Sequence, residues 1–146
     1  MKPLTFKLIF PLTIISFATI TKWWYTVPID APDTIYLGFP FPFVGEAWHT
    51  SMALQFFVLE FVVDLIVYFL ICSIVIFCIN RFLIKIKMHK IQTISLWIIS
   101  GLIISWAVFI VSRPNNVFHH KRTYEMKIFD SGIKFIWQYI GRTRLK

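Results

Sequence analysis

Three long apolar runs divide this chain, at residues 8–24, 52–79 and 94–111. Polar, proline-rich or basic stretches separate them. At 1.5 Å per residue, residues 8–24 just cross a hydrocarbon core of ~30 Å. Residues 52–79 would reach about 42 Å as one helix, which must therefore tilt or protrude. The third run closes at Arg113-Pro114, where the proline disfavours helical geometry in the residue before it. This pattern predicts an all-α membrane protein with three transmembrane helices. The first run follows Lys2 and Lys7 and ends in Trp23, Trp24 and Tyr25, the look of an interfacial aromatic belt. A signal peptide is the competing reading, with Ser16-Phe17-Ala18 as its cleavage tripeptide. Apolar character continues past Ala18, which favours a retained anchor.

Outside the runs the pattern changes. The loop 25–51 holds four prolines and the core Gly38-Phe39-Pro40-Phe41-Pro42-Phe43. Each proline fixes its own φ and keeps the preceding Phe out of helical geometry. An extended segment is expected, either a lid packed over the helix ends or a groove-forming surface for a lipid chain or peptide. Its candidate binding residues are Phe39, Pro40, Phe41, Pro42 and Phe43. The tail 112–146 alternates on both sides of Asp130-Ser131-Gly132. Tyr124, Met126 and Ile128 precede the turn, and Ile133, Phe135, Trp137 and Tyr139 follow it. That predicts a small extramembrane β-hairpin. An interfacial amphipathic helix through Phe129, Ile133, Ile136, Trp137 and Ile140 is the competing pattern.

Composition narrows the class. The 146 residues are 58% hydrophobic and 15% charged, against roughly 25% charged in an ordinary soluble domain. One integral membrane domain fits, and a large catalytic domain does not. The net charge is +8, and the cations lie between and after the apolar runs. The lipid bilayer is thus the expected partner, and nucleic acid is not. Arg81, Lys85, Lys87 and Lys90 make the link 80–93 basic, whereas the loop 25–51 carries Asp30, Asp33 and Glu46. The positive-inside rule then places the N-terminus and that link in the cytoplasm of a cell with an inner membrane. The basic tail falls outside, against the same rule.

The candidate chemistry is an acid pair. Glu60 and Asp64 sit at i, i+4 within the second run, on one face of a helix. Asp64 is expected near mid-bilayer. About nineteen Phe, Leu, Ile and Val residues outweigh a cost of about +5 to +7 kcal/mol for the two acids, so insertion stands. Intramembrane carboxylates mark helix glue, a docking face or a proton path. Ser100, Ser105 and Lys22 are the candidate polar partners. His49, His89, His119 and His120 show no zinc spacing, and no metal or cofactor is expected. Cys72 and Cys78 lie about 9 Å apart along one helix and cannot bridge. No phosphate loop or nucleophile motif is present, so an enzyme is not expected.

The segments Gly38-Phe39-Pro40-Phe41 and Phe61-Val62-Val63-Asp64-Leu65 resemble those of small, uncharacterised bacterial multi-pass membrane proteins. These share a Gly-aromatic-Pro-Phe outer loop and an acid-bearing second span. The resemblance covers about residues 35–80 and implies a membrane fold but no activity. The expectation is a non-enzymatic interaction subunit, immunity-type in one version, that binds a membrane protein or a second copy. A proton- or ion-coupled transport component is the alternative.

Overall fold

In the computed structural model, which describes residues 4–28, 34–47, 53–122 and 126–135, the backbone switches between helix and strand inside two of the three apolar runs. A π-helical turn, Thr5–Ile9, leads into α1, Phe10–Thr19. Pro11 has no N–H for the carbonyl of Lys7, and its ring would crowd that oxygen. The widened turn lies directly ahead of it. At Ile20 the chain becomes β1, Ile20–Pro28. Thr21, Trp23, Trp24, Tyr25, Thr26 and Val27 are β-branched or aromatic, the side chains that suit a pleated surface. The second run opens as β4, Leu54–Phe57, and only then becomes α2, Val58–Cys78, which closes in a π turn, Ile79–Leu83. Between β1 and β4 lie β2, Thr34–Leu37, and β3, Val44–Glu46. α3, Lys90–Val111, is followed by β5, Val117–His119, and β6, Met126–Phe135.

The all-α expectation is therefore overturned. The strands form one six-stranded sheet in the order β5-β4-β3-β2-β1-β6. β4 and β5 are parallel and the other neighbours antiparallel. Two helices, Val58–Leu83 and Lys90–Val111, are long and apolar enough to cross a membrane. The N-terminal helix Phe6–Thr19 is a shorter apolar one, about 21 Å long. The expected three spans thus reduce to two. Trp23, Trp24 and Tyr25 belong to a strand, not to an aromatic belt at a helix end. Short apolar runs read alike as helix and as buried strand, which is why the change was hidden.

The predicted tail hairpin is also corrected. β6 runs on through Asp130, Ser131 and Gly132, pairing with β1 from Ile20↔Phe135 to Pro28↔Met126. One bulge beside Tyr25 and Thr26 leaves Phe129 without an opposite residue. A lone hairpin is marginal in water, and β1 offers this segment a longer partner than its own second half. The competing amphipathic helix does not form over 126–135. Ile136, Trp137, Tyr139 and Ile140 lie outside the described residues.

The chain divides into a helical unit, Met1–Ala18 with Leu65–Ser112, and a sheet unit, Thr19–Asp64 with Arg113–Lys146. In the sheet unit, Ser131, Trp24, Tyr36, Gly45, Gln55 and Val117 stand directly opposite one another across all six strands. Directly opposed residues share a face. The Tyr36 ring lies where a side chain at Gly45 would be. The Gln55 amide donates to the Tyr36 hydroxyl and to the Glu46 carbonyl, the latter at 3.0 Å. Tyr36, Gln55, Phe57 and Thr26 are all buried. In the helical unit, Ile9, Cys72 and Ile76 form the core, with Phe10 against Phe69 and Phe17 against Tyr68. The buried Ser100 hydroxyl donates to the carbonyls of Pro11 and Leu96. α3 leaves Ile91, Trp97, Ile99, Ile104, Trp106 and Val108 exposed, spread around the helix. Apolar side chains on every side of a helix suit hydrocarbon surroundings.

Candidate functional site

Because α2 begins at Val58, Glu60 and Asp64 fall in its first two turns. The middle of Val58–Leu83 lies near residue 70, so Asp64 is about 10 Å from it toward the start. Asp64 is thus off the centre of this helix, whereas the sequence alone places it at the centre of a longer one that runs through residues 52–57.

A helix start leaves backbone N–H groups without intrahelical partners and favours acids in its first turn. Here the segment after β5 answers both needs. The Leu59 N–H donates to the His120 carbonyl at 3.1 Å. The Arg122 N–H donates to Glu60 Oε1 at 3.2 Å. Asp64, fully buried, accepts the Phe41 N–H on Oδ1 at 3.0 Å. The two carboxylates therefore hold two different backbone segments of the sheet unit. Glu60 Oε2 and Asp64 Oδ2 are buried with no hydrogen bond among the described residues.

The loop that Asp64 holds is pinned along its length. Gly38 has φ +151°, and a side chain there would overlap the Phe41 backbone. Only glycine fits that combination. The Gly38 N–H donates to the Lys22 carbonyl, and its carbonyl accepts from Trp24 Nε1, both at 2.9 Å. The Phe43 N–H donates to the Leu37 carbonyl, and the Phe43 carbonyl accepts from the Phe57 N–H. The Phe39–Pro40 bond is cis. Phe43 meets Phe61 edge-on, with ring centroids 5.4 Å apart. Pro42 is buried and Phe39, Pro40 and Phe43 are half-buried. Phe41 alone of the five is exposed, at 49%.

The remaining sequence candidates separate from the acids. The Lys22 ammonium sits 3.7 Å from the centre of the Trp24 ring, a cation–π contact. Ser100 bonds Pro11 and Leu96, and Ser105 bonds the Gly101 carbonyl. The His119 ring stacks on Phe57. His49, Asp30 and Asp33 lie outside the described residues. Among the described residues no group of three or more His, Cys, Asp and Glu could hold a metal ion.

Sequence reasoning sought side-chain partners for the acids and missed the backbone ones. One signal was present. Pro40 and Pro42 carry no N–H, so the Phe41 amide between them cannot join a regular ladder and must find an acceptor elsewhere. No known protein family matches this chain, and comparison with characterised proteins and with solved structures likewise found no match.

Proposed function

We propose that this chain is a non-enzymatic interaction subunit of a membrane assembly, docking on a membrane protein partner through the tip of the 38–43 loop. The observation that carries this reading is Phe41. A large apolar ring stands half in solvent on a segment whose own amide is held by a fully buried carboxylate. Rigidly positioned aromatics of this kind anchor protein interfaces. Asp64 is a positioning residue in this scheme and does not touch the partner. An immunity role, with an incoming toxin as the partner, is one form of the same reading.

Connectivity and charge support one orientation. Residues before α2 and after α3 pair in one sheet, so both belong on one side of a bilayer that α2 and α3 cross. The link between those helices carries Arg81, Lys85, Lys87 and Lys90. That density supports a cytoplasmic link in an inner membrane, with the sheet unit outside.

The test is recovery of the tagged full chain from its own host membranes in mild detergent. Phe41→Ala and Asp64→Ala should each lose a stoichiometric membrane partner. Asp64→Asn keeps a carbonyl acceptor for the Phe41 amide and should retain it. Undiminished partner recovery with Phe41→Ala would sink the reading.

The two bare carboxylate oxygens, Glu60 Oε2 and Asp64 Oδ2, favour one second reading, a proton- or cation-coupled transport component. That reading predicts a pH-dependent flux in proteoliposomes that Asp64→Asn abolishes. The same substitution therefore separates the two functions.

A further inference from the structure

A groove of about 300 Å³ opens in the helical unit between the N-terminal helix and the C-terminal half of α2. Ile9, Phe69, Ile76, Phe77 and Ile86 supply apolar walls, and Ser73 lies among them. Its volume is at the lower end of small-ligand sites. The wall is closed by a built feature. The Asn80 side chain accepts the Ile86 N–H at 3.0 Å, which folds the link back after α2 and brings Ile86 into the lining. Ile84 is extended, and in extended backbone alternate residues face opposite ways. Lys85 and Lys87, on either side of Ile86, are accordingly exposed.

Charge in this unit has one sign. Residues 1–18 and 65–112 contain no Asp or Glu at all. Lys7, Arg81, Lys85 and Lys87 are all exposed and close in sequence to groove residues Ile9, Asn80 and Ile86. Nothing within the unit can neutralise them. An apolar slot whose bordering segments are cationic matches an amphiphile with a negative head. A free inorganic anion would leave the slot empty, and a neutral lipid would leave the cations unmatched.

We propose that this groove binds one acyl chain of an anionic phospholipid from the surrounding bilayer, with the headgroup phosphate taken by Lys7, Arg81, Lys85 and Lys87. Cationic pockets between membrane helices take anionic headgroups in this way. The proposal requires α2 to cross a bilayer but is independent of docking at Phe41, which lies in the other unit.

The test uses the full chain reconstituted in phosphatidylcholine vesicles carrying a chain-labelled probe lipid, either phosphatidylglycerol or phosphatidylcholine. Electron spin resonance reads the motionally restricted fraction of each. The wild type should restrict phosphatidylglycerol several-fold more than phosphatidylcholine. Lys85→Gln with Lys87→Gln should lower that preference by about fivefold per charge, up to its complete loss. Ser73→Phe fills the slot and should bring the preference to one with every cation still present. Equal restriction of the two lipids by the wild type overturns the proposal. So does a preference that survives Ser73→Phe, since that would be attraction to the basic surface alone. Both lysines are exposed, so an unchanged preference in the double variant overturns it without any question of folding.

Discussion

The helical unit is the more apolar of the two, and the two units are held by different forces. The sheet unit is fixed by named polar bonds: Gln55 to Tyr36 and Glu46, Trp24 to Gly38, Asp64 to Phe41. The helical unit is held by the Ile9–Cys72–Ile76 contact and a few hydroxyl-to-carbonyl bonds such as Ser100 to Pro11. In the proposed orientation water surrounds the first kind of structure, and burying an apolar side chain there gains the transfer energy as well as packing. Lipid tails are as apolar as leucine, so helices in hydrocarbon associate by packing and hydrogen bonds alone. One pair of truncations breaks the comparison if it is wrong. Phe57 is fully buried, against Tyr36 and His119, and Phe57→Ala should destabilise the sheet unit by about 3–5 kcal/mol. Ile76, also buried, should lose only dispersion contacts on truncation, less than the ~2 kcal/mol that begins the aqueous range. Reversible unfolding in detergent micelles, read by the strand and helix circular-dichroism bands separately, measures both. Equal losses would place the two cores in the same kind of solvent.

That difference also explains what the sequence could reveal. α3 was legible to within a few residues because an apolar run closed by Arg113-Pro114 has one reading. The 38–43 loop was expected to be extended, but it bends at residues 39–41 and brings Gly38 against the Phe41 backbone; only its non-helical character was legible from Pro40 and Pro42. The strand β4 was not, because Leu54, Phe56 and Phe57 join α2 in one unbroken apolar run. Gln55 was the lone mark that water-side packing intrudes there. β1 was misread because Trp23, Trp24 and Tyr25 suit an interfacial belt and a strand equally. The tail's alternation was correctly seen as β, but its turn was placed by the Asp-Ser-Gly triplet. Only the long-range pairing with β1 shows that no turn is needed. In the site, Glu60 and Asp64 were recognisable as costly residues with a purpose. Their partners were not, since the Phe41 and Arg122 amides carry no side-chain signature.

The second contrast lies between two loop pins, one in each unit. Asp64 accepts the Phe41 amide at 3.0 Å, and Asn80 accepts the Ile86 amide at the same distance. A bond to a charged acceptor contributes about 1.5–3 kcal/mol and a neutral one about 0.5–1.5. Asp64→Ala should therefore loosen its loop more than Asn80→Ala loosens the link. Amide hydrogen exchange reads this directly. Phe41 exchange should accelerate by the larger factor in Asp64→Ala, by a smaller one in Asp64→Asn, which keeps a neutral acceptor, and be indifferent to Asn80→Ala. Equal acceleration at Phe41 and Ile86 would mean that the Asp64 bond behaves as a neutral one.

The smallest effect sharpens the comparison by its sign. Gly45 lies under the Tyr36 ring, where an added methyl has no room, whereas nothing comes within 4 Å of a Cβ placed on Gly101. Gly101 is exposed in the middle of α3 and its own backbone is helical, a conformation alanine adopts with less entropy lost on folding. Gly101→Ala should raise the unfolding midpoint, a gain of about 0.5–1 kcal/mol, while Gly45→Ala lowers it by disturbing a buried ring. A destabilising Gly101→Ala would carry more information than the expected gain. Open space at that position means that none of the described residues offers anything for a methyl to strike, so the loss would point to a second helix packed closely against α3, and concentration dependence of the effect would then distinguish a second copy from a different partner.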